Sequence, residues 1–484
     1  DFLDFALAQK KQSIQLDLFS VNASDNTTFE PVDMVIANPP YIRTQIMGAE
    51  RAQQIAEKFG LSGRIDIYHA FMLALAWVMK PKGIAGIIVS NRFMTTKAGS
   101  SIRKSIAEQF NVLHVWDLGD TKIFDAAVLP CVLILERRSK TNSTSQAQFS
   151  SIYSTNGTSI AGLTYPDVIS ALRSSNATGS HQPTSGIVNV NSQLFEIKHG
   201  RLFYEHNPSE VWRIATDESD AWLSTVKQHT YCTFSEAGKV RVGVKTTADK
   251  VFIRTDWETL PANQYPEVLK PLSTHHRARQ FYVEKSFHQI LYTHEIRNGK
   301  RCPINLDDYP CAKRYLQQHR TRIEKRKYVA KAGRNWYEIW VPQNPALWSQ
   351  PKIIFRDIAE EPTFWLDTEQ TVVNGDCYWI TLDNPAQDDL LWLLLGVGNS
   401  SFIEEFYDHR FHNKLYAGRR RYITQYVEKF PLPDPQRKIS QRIIQLSKHI
   451  YHLIREDTDQ NEIESIKSRL EQLVWEAFGV NQKN

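Results

Sequence analysis

Two hydrophobic rhythms alternate through the first 138 residues. "DMVIA" is a short apolar run stopped by two prolines, the length and ending of a strand. "IDIYHAFMLALAWVM" carries apolar residues at helical spacing up to Pro81-Lys82-Gly83, which predicts a helix with a breaker behind it. "GIAGIIVS" reads as a buried strand, Ser100 to Phe110 as an amphipathic helix, and "VLHVWDL" and "AVLPCVLILER" as two further strands. Alternation of this kind predicts an α/β sheet covered on both faces over residues 1–138. The rhythm then fails. Residues 139–192 are rich in Ser, Thr and Asn and are expected to be linkers or loops. Residues 193–435 mix short strand-like runs ("KVRVGV", "PKIIFRDI", "DCYWITL") with one strongly apolar helix, "DLLWLLLGV", and predict an α+β domain. Residues 436–484 hold two helical patterns, "ISQRIIQLSKHIYHLI" and "EIESIKSRLEQLVWEAFGV", expected as a hairpin that buries one face.

Composition narrows the function classes. A chain of 484 residues that is 42% hydrophobic and 23% charged suits two or three globular domains. No apolar run is long enough for a membrane span, and none at the start resembles a signal peptide. The five cysteines are scattered, without a CxxC pair or Cys/His cluster, so reduced thiols, a cytoplasmic location and no metal are expected. Net charge is only +5, but between Lys270 and Arg334 there are 16 Lys and Arg against 5 Asp and Glu, interleaved with tyrosines. A block of that kind suits a polyanion, the alternative being a solvated surface.

The most specific chemistry lies at Asn38-Pro39-Pro40-Tyr41, where the first strand ends. An exocyclic amine on an aromatic ring, such as N6 of adenine, is a poor nucleophile because its lone pair is delocalised. Acceptors placed on its two protons draw the nitrogen towards sp3 geometry. The Asn38 side-chain oxygen and the Pro39 carbonyl supply two such acceptors, and the prolines, lacking N–H and fixed in φ, stiffen the turn. Tyr41 then offers a flat face for a base extruded from a duplex. The C-terminal ends of strands are also where open α/β sheets bind ligands.

With these residues in view, the first 138 resemble the latter half of an N6-adenine DNA methyltransferase of the NPPY class, a Rossmann-like fold using S-adenosylmethionine. "DFL" resembles the acidic motif of that family, which implies that Asp1 binds the cofactor's adenine amino group and Phe2 packs on its ring. "DIYHAF" resembles the next motif and implies that Phe71 completes the adenine pocket. "GIAGIIVSNRFMTT" and "LGDTKIFDAAVLPCVLIL" resemble later ones, the second making Phe124 the partner of Tyr41 on the flipped base. The catalytic set so implied is Asn38, Pro39, Pro40, Tyr41 and Phe124. The family also carries a glycine-rich cofactor loop upstream of the acidic motif. None precedes Asp1, so the methyltransferase domain is expected to be N-terminally incomplete, the remainder lying in a longer polypeptide or a separate subunit, and the isolated chain is expected to bind S-adenosylmethionine poorly.

The later chain resembles the target-recognition domain of type IIG restriction–modification enzymes and TaqI-like methyltransferases. The matching stretches are "VRVGVKTTADKVFI", "LKPLSTHHRARQFY", "PKIIFRDI", "VVNGDCYWITL", "GVGNSSFIEEFY", "AGRRRYITQYVEKFPLPDP" and "LEQLVWEAFGV". The resemblance implies double-stranded DNA as partner, with Lys245, Thr246, His276, Arg277, Arg279, Arg419, Arg420 and Arg421 as candidate contacts. Where that family has Thr-Gly after the "GV" turn, this chain has Thr246-Thr247. A type IIG enzyme would add a nuclease domain, but no paired carboxylate–lysine motif is present here. The competing readings are a protein-glutamine or RNA-adenine methyltransferase, disfavoured by the large basic domain, and a non-catalytic DNA-binding remnant.

Overall fold

A computed structural model describes residues 2–18, 30–41, 48–61, 66–123, 128–139, 146–155, 164–174, 186–204, 207, 209–284, 287–411, 414–415, 418–456 and 459–482. The chain divides into two compact units, the first made of residues 1–221 and 408–419, the second of 222–407 and 420–484. No helix among the described residues is long and apolar enough to cross a membrane.

The first unit is built on a nine-stranded sheet. Helix α1 (Phe2–Leu18) precedes β1 (Val32–Ala37), and α2 (Ala49–Phe59) and α3 (Ile67–Val78) lead to β2 (Met79–Ser90). Helix α4 (Ser100–Gln109), β3 (Phe110–Asp117) and β4 (Pro130–Arg137) follow, then β5 (Gln148–Ser154), β6 (Thr164–Tyr165), α5 (Val168–Ser174), β7 (Gly186–Val190), β8 (Gln193–Phe203) and β9 (Arg213–Ala215). The strand order is β1-β2-β4-β3-β5-β8-β7-β6, with β9 on β8. β1 and β2 are parallel, and β4 runs antiparallel to both β2 and β3. Thus β1, β2 and β3 all end at one edge of the sheet, where β4 begins. Helix α3 is buried along most of its length, as its apolar run requires, and packs with Ile87, Val89, Val115 and Leu133 of the sheet.

Two expectations change here. The breaker Pro81-Lys82-Gly83 lies inside β2, after the helix has ended at Val78. Lys82 takes φ +67° and the β1–β2 register shifts beside it, so the prolyl–glycyl pair is accommodated as a bulge near the start of the strand. Residues 139–192 are no mere linker, because β5, α5 and β7 lie there and extend the same sheet. Phe149, Ile152, Val168, Leu172 and Val188 are buried, but the polar inserts between them hide their periodicity in the sequence. The second unit accordingly begins at Trp222 rather than at residue 193.

The second unit holds a four-stranded antiparallel sheet of β10 (Gly238–Val242), β13 (Lys352–Arg356), β14 (Phe364–Asp367) and β16 (Cys377–Leu382). Beside it, β11 (Leu269–Ser273) pairs antiparallel with β12 (Gln289–Leu291) and parallel with β15 (Val372–Val373). The core is aromatic, with Trp257, Trp365, Trp379, Tyr292 and Tyr315 fully buried. Helix α6 (Asp388–Gly398) and the pair α7 (Lys438–Arg455) and α8 (Gln460–Ala477) belong to this unit, so the expected hairpin of residues 436–484 buries its face there.

Candidate active site and nucleic-acid interface

Asn38-Pro39-Pro40-Tyr41 leaves the C-terminal end of β1 as the motif requires. Asn38 is exposed, Pro39 buried and Tyr41 half-buried. The Tyr41 hydroxyl lies 3.1 Å from the Ile88 carbonyl on β2 and 3.3 Å from Asn38 Oδ1. One phenolic proton serves both acceptors, so the ring is braced against β2 while the Asn38 oxygen stays accessible from outside. Burial, with Cys131 and Asp66 nearby, pushes the Tyr41 phenol up to about 12, so it remains a neutral donor.

Behind Tyr41 stands Tyr68 on α3, edge-on with ring centres 6.0 Å apart. The start of α3 is fixed by a capping box in which the Asp66 side chain accepts from the His69 backbone and the Asp66 N–H faces His69 Nδ1 at 3.5 Å. Burial, and secondarily Arg103, lower His69 to about 4, which keeps that nitrogen an acceptor. One turn on, Phe71 meets Phe2 of α1, ring centres 4.5 Å apart and both half-buried. The two rings proposed for the cofactor's adenine are therefore brought together. Asp1 and Phe124 lie outside the described residues.

Sequence reasoning missed a buried polar brace at the same sheet edge. Asp117, at the end of β3, accepts from Asn91 Nδ2 at 3.0 Å, Tyr153 OH at 2.7 Å and the Gly119 N–H at 3.2 Å. Asn91 follows β2 and Tyr153 belongs to β5, so one carboxylate ties three strands together. Asp120 accepts the Ser154 N–H at 2.8 Å and fixes the next residue of the turn. Gly119 takes φ +51°, and a Cβ there would lie 2.3 Å from the Ile152 carbonyl, so only glycine fits. Asn91 and Asp117 sit within or beside stretches already singled out, but Tyr153 lies in the Ser-rich region and gave no signal.

The candidate DNA contacts divide. Lys245 is exposed while its backbone pairs with Val341 in both directions at 3.0 Å. Thr246 is fully buried; its hydroxyl bonds Asp249 and its carbonyl accepts from Arg326 at 2.7 Å. Thr247 takes φ +57°, the conformation that the family's glycine would adopt without strain. His276, Arg277 and Arg279 are exposed on one turn; Arg279 pairs with Glu284 at 2.9 Å, and Arg277 lies 5.1 Å over the ring of the exposed Phe287. Arg419, in the first unit, is exposed. Arg420 is buried against Glu404 at 2.6 Å, and Arg421 grips Asp357 through two bonds of 2.9 and 3.1 Å. The run Arg419–Arg421 is thus not a uniform cationic patch.

One group of possible metal ligands among the described residues was not legible in the sequence. His275, His276 and Asp376 bring potential ligand atoms within 4.8 Å of one another. Residues 275 and 376 are 101 positions apart and meet only through the parallel pairing of β11 and β15.

An α/β sheet with an Asn-Pro-Pro-Tyr turn at its strand ends, followed by a separate unit that carries a basic block, is the arrangement of a methyltransferase joined to a specificity domain. Family comparison agrees: residues 5–124 match the Eco57I restriction-modification methylase and residues 279–432 the TaqI-like C-terminal specificity domain. The type II methyltransferase M.BanIII of Aneurinibacillus aneurinilyticus is 41% identical over 490 residues, covering 100% of this chain and 81% of the relative. M.BstVI of Geobacillus stearothermophilus is 26% identical over 477 residues, covering 95% and 79%. The chain belongs to the type II DNA methyltransferases of restriction–modification systems. The fold is shared with the type IIL restriction-modification enzyme MmeI, solved in complex with DNA, at a TM-score of 0.56 and 12% identity. That match covers 93% of this chain, which spans only 55% of the MmeI chain.

Proposed function

We propose that this methyltransferase acts on N6 of an adenine turned out of double-stranded DNA, with S-adenosylmethionine as methyl donor. The observation that carries the reading is the exposed Asn38 carboxamide at the end of β1, beside a half-buried, neutral Tyr41. Asn38 Oδ1 and the Pro39 carbonyl accept from the two amine protons, localise the nitrogen lone pair and orient it. Pro40 keeps the turn stiff, and the Tyr41 ring stacks on the extruded base, replacing stacking lost from the duplex. Phe124 is assigned the opposite face of the base. Phe2 and Phe71 fit the adenine of S-adenosylmethionine, because their half-buried, adjoining rings offer a flat apolar wall, and Asp1 is assigned its amino group. The bound cofactor supplies an electrophilic methyl group, and a metal is not required for the transfer. As the amine nitrogen bonds to the methyl carbon, the methyl–sulfur bond of the donor would break with its electron pair left on sulfur, and the nitrogen gives up a proton to solvent or to a neighbouring acceptor.

Lys245, His276, Arg277, Arg279 and Arg419 are assigned to DNA, while Thr246, Arg420 and Arg421 hold the turns that present them. The test is Asn38→Ala in the active enzyme, assayed by nucleoside mass spectrometry and duplex binding. N6-methyladenine should disappear while DNA affinity is retained. Loss of both together would make Asn38 structural, and N4-methylcytosine as the wild-type product would overturn the choice of base.

A further inference from the structure

We propose that His275, His276 and Asp376 form a site for one divalent transition-metal cation in the specificity unit, with zinc the best chemical match. This site stands whether or not the methylated base is adenine.

The placement follows from the sheet. β11 and β15 are parallel, with Leu272 opposite Val372 and Ser273 opposite Val373, so the turns leaving them emerge at the same end. The Asn374 N–H also donates to the Ser273 carbonyl at 3.0 Å, keeping the two turns together. One turn carries His275–Arg277 and the other carries Asp376. His275 Nδ1 lies 2.7 Å from Asp376 Oδ2, and the His276 ring lies against that of His275 with centres 4.1 Å apart. One ligand atom from each residue falls within 4.8 Å of the other two. Tetrahedral zinc with bonds of roughly 2.0–2.2 Å holds its ligands about 3.3–3.5 Å apart. The widest gap therefore needs a closure of little more than an ångström, which the exposed His276 side chain can make by rotation, while His275 and Asp376, hydrogen-bonded at 2.7 Å, part by somewhat less and give up the proton between them.

The donors suit the ion. Two imidazoles and a carboxylate are the set that borderline cations such as Zn2+ prefer, and they leave one position for water. A third ring, His288, stacks on His276 at 6.2 Å. Arg277, next to His276 in the chain, is engaged elsewhere, over the Phe287 ring and 3.8 Å from Glu284. A bound ion would pin the turn bearing Arg277 and Arg279 to the turn bearing Asp376, fixing the orientation of side chains assigned to DNA.

The experiment uses the 484-residue chain, stripped with EDTA and titrated with Zn2+ by calorimetry, then with Co2+ monitored by visible absorption. One equivalent should bind saturably, with Co2+ giving the intense bands of a low-coordinate N/O site. His276→Ala and Asp376→Asn should each weaken binding by at least about 10-fold, the low end for loss of even a supporting residue at a metal site. His276 is exposed, so its variant tests the ligand without threatening the fold. No saturable uptake, or uptake unchanged in both variants and hence located on other histidines, would overturn the site.

Discussion

Asp117→Asn separates charge from shape at the edge of the proposed active site. The carboxyl is fully buried, and burial raises it to about 6 against the lowering effect of its bonds from Tyr153, Asn91 and Gly119. Because its folded pKa lies above the unfolded value of about 3.9, the folded state holds this proton more tightly than the unfolded chain. Through this group, stability is greatest below about pH 4, falls as pH rises towards 6, and is then constant, at a cost of about 3 kcal/mol for the ionised form. Asparagine imitates the protonated acid: its oxygen still accepts from Asn91 and Gly119, and its amide can donate to the Tyr153 oxygen. The stability of the variant relative to wild type should therefore increase by about 1 kcal/mol between pH 5 and pH 7 and level off above. Urea unfolding of both proteins across that range measures the difference, and titrations common to both cancel. A difference independent of pH, or one that shrinks as pH rises, would show that Asp117 does not titrate in this range and that the brace is not under electrostatic load.

Other parts of the molecule give equally direct tests. Thr247 holds φ +57° with a branched side chain, so Thr247→Gly should stabilise the second unit by about 1 kcal/mol, read as a higher denaturation midpoint; a lower one would mean that its bond to the Thr246 carbonyl outweighs the strain. Lys352 and Asp367 form a 2.8 Å ion pair at 0% and 1% side-chain exposure. Lys352→Met should cost about 3–5 kcal/mol by leaving a buried carboxylate unpaired, and adding Asp367→Asn should restore part of it, whereas equal loss in both variants would deny the charge imbalance. Arg279 has an exposed guanidinium tied only loosely to Glu284, so Arg279→Ala should weaken duplex binding on every sequence and lower the slope of log affinity against log salt by about 1. An unchanged slope would remove Arg279 from the phosphate contacts.

What the sequence made legible was local. A strand ended by Asn38-Pro39-Pro40, a buried helix from Ile67 and two amphipathic helices at the end of the chain each show their pattern within one window. The meeting of Phe2 with Phe71 followed from motif order. The brace around Asp117 did not show, because a carboxylate reads as surface until Asn91 and Tyr153 are seen to converge on it, and those partners lie on other strands. Strands β5 and β7 were hidden for the same reason: in β5 the serines Ser150 and Ser151 separate Phe149 from Ile152, which pack into different cores, and only pairing with β3 and β8 makes it a sheet.

The basic block from Lys270 to Arg334 shows where composition and structure part. Counted as charge, it is a strong DNA signal, yet many of its cations are committed inside the unit. Arg326 is buried and donates to the carbonyls of Ile323, Thr246, Glu338 and Trp336. Arg334 donates to the Trp340 carbonyl and lies 4.9 Å over that ring, while Arg320 pairs with Glu324 and Lys313 with Asp307. A braced guanidinium keeps its charge, and at physiological salt its field reaches about 8 Å, so the block still favours an approaching duplex. Reading base edges is different, because it needs donors that can be aimed. On the proposed assignment, attraction and recognition fall to different residues of one segment: buried or paired arginines supply field and rigidity, and the exposed turn of His276, Arg277 and Arg279 is the one proposed to make the contacts. Specificity should accordingly follow substitutions in that turn, whereas a change such as Arg326→Ala should act first on folding.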